Sequence, residues 1–205
     1  LLFQMKKIGL LLLLIIATQV VTAQTSMVGR PCPDMPTVSD HQGNVYQTVQ
    51  FGNQCWMAEN MRCTTSPSGK SWAHNPVFTI MNPIFRSYYI TVRNANYGNL
   101  YNWSAAMDLD INEYSFFSTD KYHRGICPEG WHLPSNDEWM LLLEMLGGSN
   151  YAGAVMKSRA SNWIQPVIAQ QVSGFSALPA GIYTEDGLRH TGNYAYFWSS
   201  TTYDR

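Results

Sequence analysis

The stretch PSNDEWMLLLEMLGG, residues 134–148, constrains the fold most tightly. Ser135 followed three positions later by Glu138 is a capping box: the serine oxygen accepts from the backbone N–H at the third helical position and the glutamate reaches back. Asp137 and Glu138 place negative charge at the positive end of the helix. Trp139, Leu142, Leu143 and Leu146 recur at i, i+3, i+4 and i+7, which draws one apolar stripe on an α-helix. Gly147 provides the stop. The spacing predicts a helix over 136–146 whose stripe must be covered by other elements of the chain.

Strand signals precede this helix. TVSDHQGNVYQTVQFGNQCWMAEN (37–60) reads as a hairpin, with Asp40 and Gly43-Asn44 as punctuation and Gly52-Asn53 as a tight turn before Cys55-Trp56-Met57. Residues 24–36, with Pro31, Pro33 and Pro36, read as an extended lead. Residues 64–96 are loop-like around a strand at 86–94, and Trp103–Met107 reads as a short helix. After the capped helix, residues 151–163 predict a second short helix with Ala152, Val155 and Met156 inward. Residues 173–183 read as a strand broken by Pro179 and Gly181, 185–187 as a turn, and 194–205 as a last strand. The domain then spans 37–205.

The N-terminus carries an address. Lys6-Lys7, the apolar run Ile8–Ile16 and the small residues before Gln24 read as a secretory signal peptide over 5–23, cut after Ala23. Leu1–Gln4 precede Met5 and read as translation upstream of the natural start. The apolar run is shorter than the roughly 20 residues a membrane span needs, and no second run could span in the mature chain. The expected location is therefore exported: cell surface, outer membrane or extracellular. Thirteen basic and fourteen acidic residues nearly cancel, and no basic cluster marks a nucleic-acid footprint. Seven Trp, twelve Tyr and eight Phe against 13% charged residues suit a rigid exported core or a binding face.

Four cysteines, Cys32, Cys55, Cys63 and Cys127, allow three connectivities that sequence does not resolve. Their spacing matches neither a zinc knot nor a C-x-x-C redox motif. Structural disulfide bonding is the expected use in an oxidising compartment. Ser199-Ser200 lack a nucleophile elbow, and no catalytic constellation is complete. No cofactor is expected except calcium, for which Asp108, Asp110 and Asn112 are candidate ligands without the Gly and terminal Glu of an EF-hand loop. Trp72 and Trp163 are candidate ligand-stacking residues, whereas Trp56, Trp131, Trp139 and Trp198 sit in motifs with structural logic and are expected in the core.

GNVYQTVQFGNQCWMAENMR, YGNLYNWSAAMD, CPEGWHLPSNDEW, GFSALPAGIY and YFWSST occur in this order. Together they resemble the Fibrobacter succinogenes major paralogous domain over 37–205. The resemblance implies an exported bacterial surface protein without established catalysis, acting in adhesion or glycan binding, with a protein-binding subunit of a surface assembly or an uncharacterised enzyme as the alternatives. Its partner would be a polysaccharide, a host or surface glycan, or a surface protein. The capped helix followed by GFSALPAG and WSS is also similar to the C-type-lectin-like fold, whose relatives include formylglycine-generating enzymes. That similarity implies an α+β domain: two short helices packed on small twisted antiparallel sheets, with long loops. Family members continue past the WSS strand into a further strand ending in cysteine, so the resemblance implies a domain truncated at its C-terminus. Cys127 would then be unpaired, Cys32–Cys55 the bridge, and Cys55–Cys63 the alternative.

Overall fold

The computed structural model describes residues 28–69, 72–74, 89–94, 97–109, 122–159, 163–164, 173–184 and 186–202. The signal-peptide segment and candidate calcium ligands Asp110 and Asn112 lie outside these residues, as does the side chain of Trp72. Within them the chain is a small α+β fold. Strands β1 (Thr37–Ser39), β2 (Val45–Phe51) and β3 (Gln54–Met57) form an antiparallel sheet in that order. A second sheet joins β4 (Trp72–His74), β5 (Tyr89–Asn94) and β6 (Gly98–Tyr101), and β7 (Ile182–Thr184) pairs with β8 (Gly187–Arg189). The helices are α1 (Trp103–Met107), α2 (Asn136–Met145) and α3 (Ser149–Met156).

The predicted hairpin is present, closed by Phe51 opposite Gln54. Gly52 takes a φ of 53° at the first loop position, and a Cβ there would stand 2.7 Å from the Met145 sulfur, so both backbone and space require glycine. β2 is covered on both sides. Val49 and Phe51 pack into the helix-facing core, while Tyr46 and Thr48 are buried where Pro36 and Met35 accept from Thr48. The lead lies along this sheet: Gln50 N donates to Arg30 O at 2.6 Å, and a Cys32–Cys55 disulfide ties lead to β3.

The capping box on α2 is complete, with the Ser135 side chain accepting from Glu138 N and the Glu138 carboxylate accepting from Ser135 N at 2.8 Å. The helix ends on a Schellman pair, Gly148 N to Leu143 O and Gly147 N to Glu144 O, as the glycines permit. Leu142 and Leu146 are fully buried, with Trp139 and Leu143 packed against the same cluster. α3 adds Ala152, Val155 and Met156, and Trp56 meets Trp139 with ring centroids 4.7 Å apart.

Five expectations are corrected. There are three helices among the described residues, where the lectin-like similarity implied two; the helix read at Trp103–Met107 is the third. The second predicted helix, 151–163, is instead Ser149–Met156. It stops because Val155 O and Met156 O accept from Ser173 N and Ala177 N, so its terminal carbonyls are satisfied by a distant segment. For the same reason 173–183 is not one strand: its first half terminates α3 and only Ile182 onward pairs with β8. Residues 194–202 are not a strand either. Their carbonyls at Trp198 and Ser199 accept indole N–H groups from Trp139 (3.1 Å) and Trp103 (3.0 Å), in place of a neighbouring strand. The small sheets are antiparallel except that β4 runs parallel to β5.

Candidate functional site

Where these elements meet they leave a cleft of about 930 Å³. One side is the unbroken run 53–61, the loop and strand of β3 with the chain that follows. The others are 99–102 at the end of β6, Ile126, Cys127 and 130–134 before α2, and parts of 175–183 and 195–198. Met57, Leu100, Ile126, Leu133, Phe175 and Leu178 give it an apolar interior. Trp131, Trp139 and Trp198 add indole faces, and Asn60, Asn99 and Asn102 add amides.

Among the described residues no lysine or arginine lines the cleft, and the two carboxylates that do are already engaged. Glu59 accepts from Gln47 N at 2.7 Å and pairs with Arg62 at 2.8 Å. Glu138 accepts from Ser135 and pairs with His132 Nε2 at 2.9 Å. Burial would raise the Glu138 carboxyl, but the Ser135 backbone N–H, the His132 imidazole and the Ser135 hydroxyl outweigh it and hold the group below the usual carboxylate range. The trio does not form a hydrolase relay. In a triad the imidazole stands between nucleophile and carboxylate; here the carboxylate stands between serine and imidazole, and the serine oxygen is held by its helix cap.

The segment 194–202 forms one border. Trp198 Nε1 donates to Tyr101 O at 2.7 Å, Ser200 N to Pro134 O at 2.9 Å, and Asn136 N to Thr201 Oγ1 at 2.9 Å. Trp198 is thus pinned by its edge while 48% of it stays exposed. This corrects its expected place in the core, and Trp131 too is only half-buried. Trp56 is buried and Trp139 partly so.

The other singled-out residues fall elsewhere. Trp163 packs against the main core with Lys157 Nζ 4.6 Å from its ring centroid, and it does not line the cleft. Trp72 belongs to β4. Asp108 caps α1 in the left-handed region and accepts from Ser66 Oγ and, at 3.2 Å, from Ser68 N. Among the described residues no three His, Cys, Asp or Glu side chains gather as metal ligands. Cys63 and Cys127 carry free thiols. Burial pushes Cys63 up to about 11 and Cys127 up to about 12, which keeps both protonated and unreactive near neutral pH.

Sequence reading missed the cleft because its lining is scattered from residue 35 to residue 198. The available signal was an excess of aromatic and apolar residues beyond those the helix stripes need.

The model of the Fibrobacter succinogenes major domain matches residues 49–205. The chain belongs to this family. The match begins inside β2 and takes in every element that lines the cleft except its outlying Met35. Within the matched span lie Cys55-Trp56-Met57 along one side of the cleft, Trp131 and Trp139, and the clamped Trp198. No curated protein and no solved structure matches the chain. No helix among the described residues is long and apolar enough to cross a membrane.

Proposed function

We propose that the chain is a non-catalytic binding module of an exported bacterial surface protein, built on a C-type-lectin-like scaffold, and that it acts in adhesion through the cleft. The signal-peptide pattern over 5–23 supports export. The observation that carries the binding reading is the lining: a large apolar and aromatic cleft whose charged groups are already paired offers contact area without a general acid, base or nucleophile in working order. A deep apolar interior with few free polar groups favours a protein partner, which makes the module part of a surface assembly.

A neutral glycan is the second reading, favoured by half-buried Trp131 and half-exposed Trp198 beside Asn99 and Asn102. Stacking is better placed at those two tryptophans than at Trp163, whose ring faces Lys157 and the core. The test is adhesion of cells displaying the protein, together with a glycan array. Trp131→Ala with Trp198→Ala is expected to abolish binding, with Trp163→Ala altering stability instead. Undiminished adhesion by the folded double variant overturns the assignment to the cleft.

A further inference from the structure

The cleft has a direction, because one of its borders is a sheet edge. β3 is the outer strand of its sheet. In an antiparallel pair, residues alternate between turning both backbone groups toward the partner and turning both away. The phase is set by Ala58 N donating to Gln47 O at 2.8 Å. With Val49 opposite Trp56 and Phe51 opposite Gln54, residues 54, 56 and 58 face β2, and Cys55 and Met57 turn their N–H and C=O groups outward. Both residues line the cleft. Among the described residues nothing bonds to those four groups.

We propose that the cleft receives an extended segment of a partner protein, added as a strand on the outer edge of β3. This rests on the cleft being the binding face and names what occupies it. A row of outward backbone donors and acceptors is met in full by another strand, the mode of β-strand addition. A glycan or a helix would leave the row unmatched. An added strand sends alternate side chains to each face; on the helix-facing one Phe175, packed with Trp56, would cover apolar ones. The lack of lysine and arginine among the described residues that line the cleft, with Glu59 and Glu138 already paired, selects a segment uncharged on that face. The outward groups of Cys55 and Met57 engage about four to six residues, an ordinary strand length.

The experiment uses the full chain and four probes: a neutral nonapeptide alternating valine and threonine, the same composition in blocks, the alternating peptide with lysine at its valine positions, and cellohexaose. Tryptophan fluorescence reads binding, and hydrogen exchange reads the Cys55 and Met57 amides. The alternating neutral peptide is expected to bind, to slow exchange at both amides at least tenfold, and to outcompete the other probes. Met57→Pro removes one outward donor, which an edge strand tolerates, and is expected to weaken the peptide at least tenfold. Met61→Lys places a charge in the cleft and is expected to weaken it similarly, so the proposal stays testable if one variant fails to fold. Equal binding of blocked and alternating peptides, or unchanged exchange at 55 and 57, overturns the proposal. Cellohexaose binding without peptide binding overturns it too, leaving the cleft as a glycan site. Concentration-dependent protection of the same amides without peptide assigns the edge to a second copy and overturns it as well. Binding of none of the probes overturns both the strand and the cleft reading.

Discussion

Asp40 shows how much one side chain can organise. It accepts from Gln42 N (2.9 Å), Asn44 N (3.0 Å), Asn44 Nδ2 (2.9 Å) and Tyr46 Oη (2.7 Å). Tyr46 passes the constraint on by accepting from Arg62 N at 2.9 Å, and the Arg62 guanidinium stacks 4.4 Å from its ring centroid. Asp40→Ala leaves the buried Tyr46 hydroxyl without its acceptor, and an unmatched buried group costs about 1–3 kcal/mol. A urea midpoint lowered by at least that equivalent is expected, larger than the roughly 1 kcal/mol for Ser135→Ala at the α2 cap. The turn at Asp40 and the cap at Ser135 were legible because each is local. The partnership of Asp40 with Tyr46 was not, since it needs the strand to place the hydroxyl.

At the scale of elements, what holds the C-terminal segment is a set of indole donors. Trp103, Trp139 and Trp198 each donate to backbone carbonyls that bring 198–199, α1, α2 and β6 together. Trp103→Phe with Trp139→Phe keeps most of the apolar volume and deletes two of these bonds, each worth about 0.5–1.5 kcal/mol. Faster hydrogen exchange at Ser200 is expected, with the α2 amides still protected; uniform loss of protection would instead mean that the whole core has opened. The Cys32–Cys55 bridge spans 23 residues. Closing a loop of that size restricts the unfolded chain by about 3 kcal/mol in the chain-entropy account. Replacing both cysteines with serine is expected to lower stability by that order, read by denaturant unfolding, and to free the lead before the sheet melts. Tryptophans in motifs pointed to a structural role, but which ones donate outward from the core and which fill it depends on elements far apart in the chain.

For the whole molecule, titration sets the limits. Burial would raise Asp40, but bonds from Tyr46, Asn44 and Gln42 lower it below its ordinary value, and Glu138 is lowered too. A depressed carboxyl binds fewer protons folded than unfolded, so its contribution is present above the unfolded value near pH 4 and lost as pH falls through the folded one. Burial raises Cys63 and Cys127 to about 11 and about 12, and it raises the Tyr46 and Tyr101 hydroxyls as well. A raised thiol or phenol favours the fold below its unfolded value and loses that contribution as pH rises through the folded one. Stability measured by thermal unfolding is therefore expected to fall below about pH 4 and again above about pH 9. A flat profile from pH 8 to 11 would contradict the burial of the Cys63 thiol. Alkylation at pH 8 is expected to modify neither thiol in the native protein and both after unfolding.

Sequence alone determined the parts whose physics is short-range: the capping box and stripe of α2, the Gly52-Asn53 hairpin, the inward face of α3, and the motifs that mark the family. Each depends on groups a few residues apart, so spacing is enough to read it. Only the tertiary structure decided where α3 stops, that 194–202 is clamped by indoles rather than paired as a strand, and that the edge of β3 borders an apolar cleft. These outcomes turn on backbone groups finding partners far along the chain, up to 97 residues away, or, at the outer edge of β3, finding none among the described residues. Which groups meet is settled by packing, and no local pattern records it.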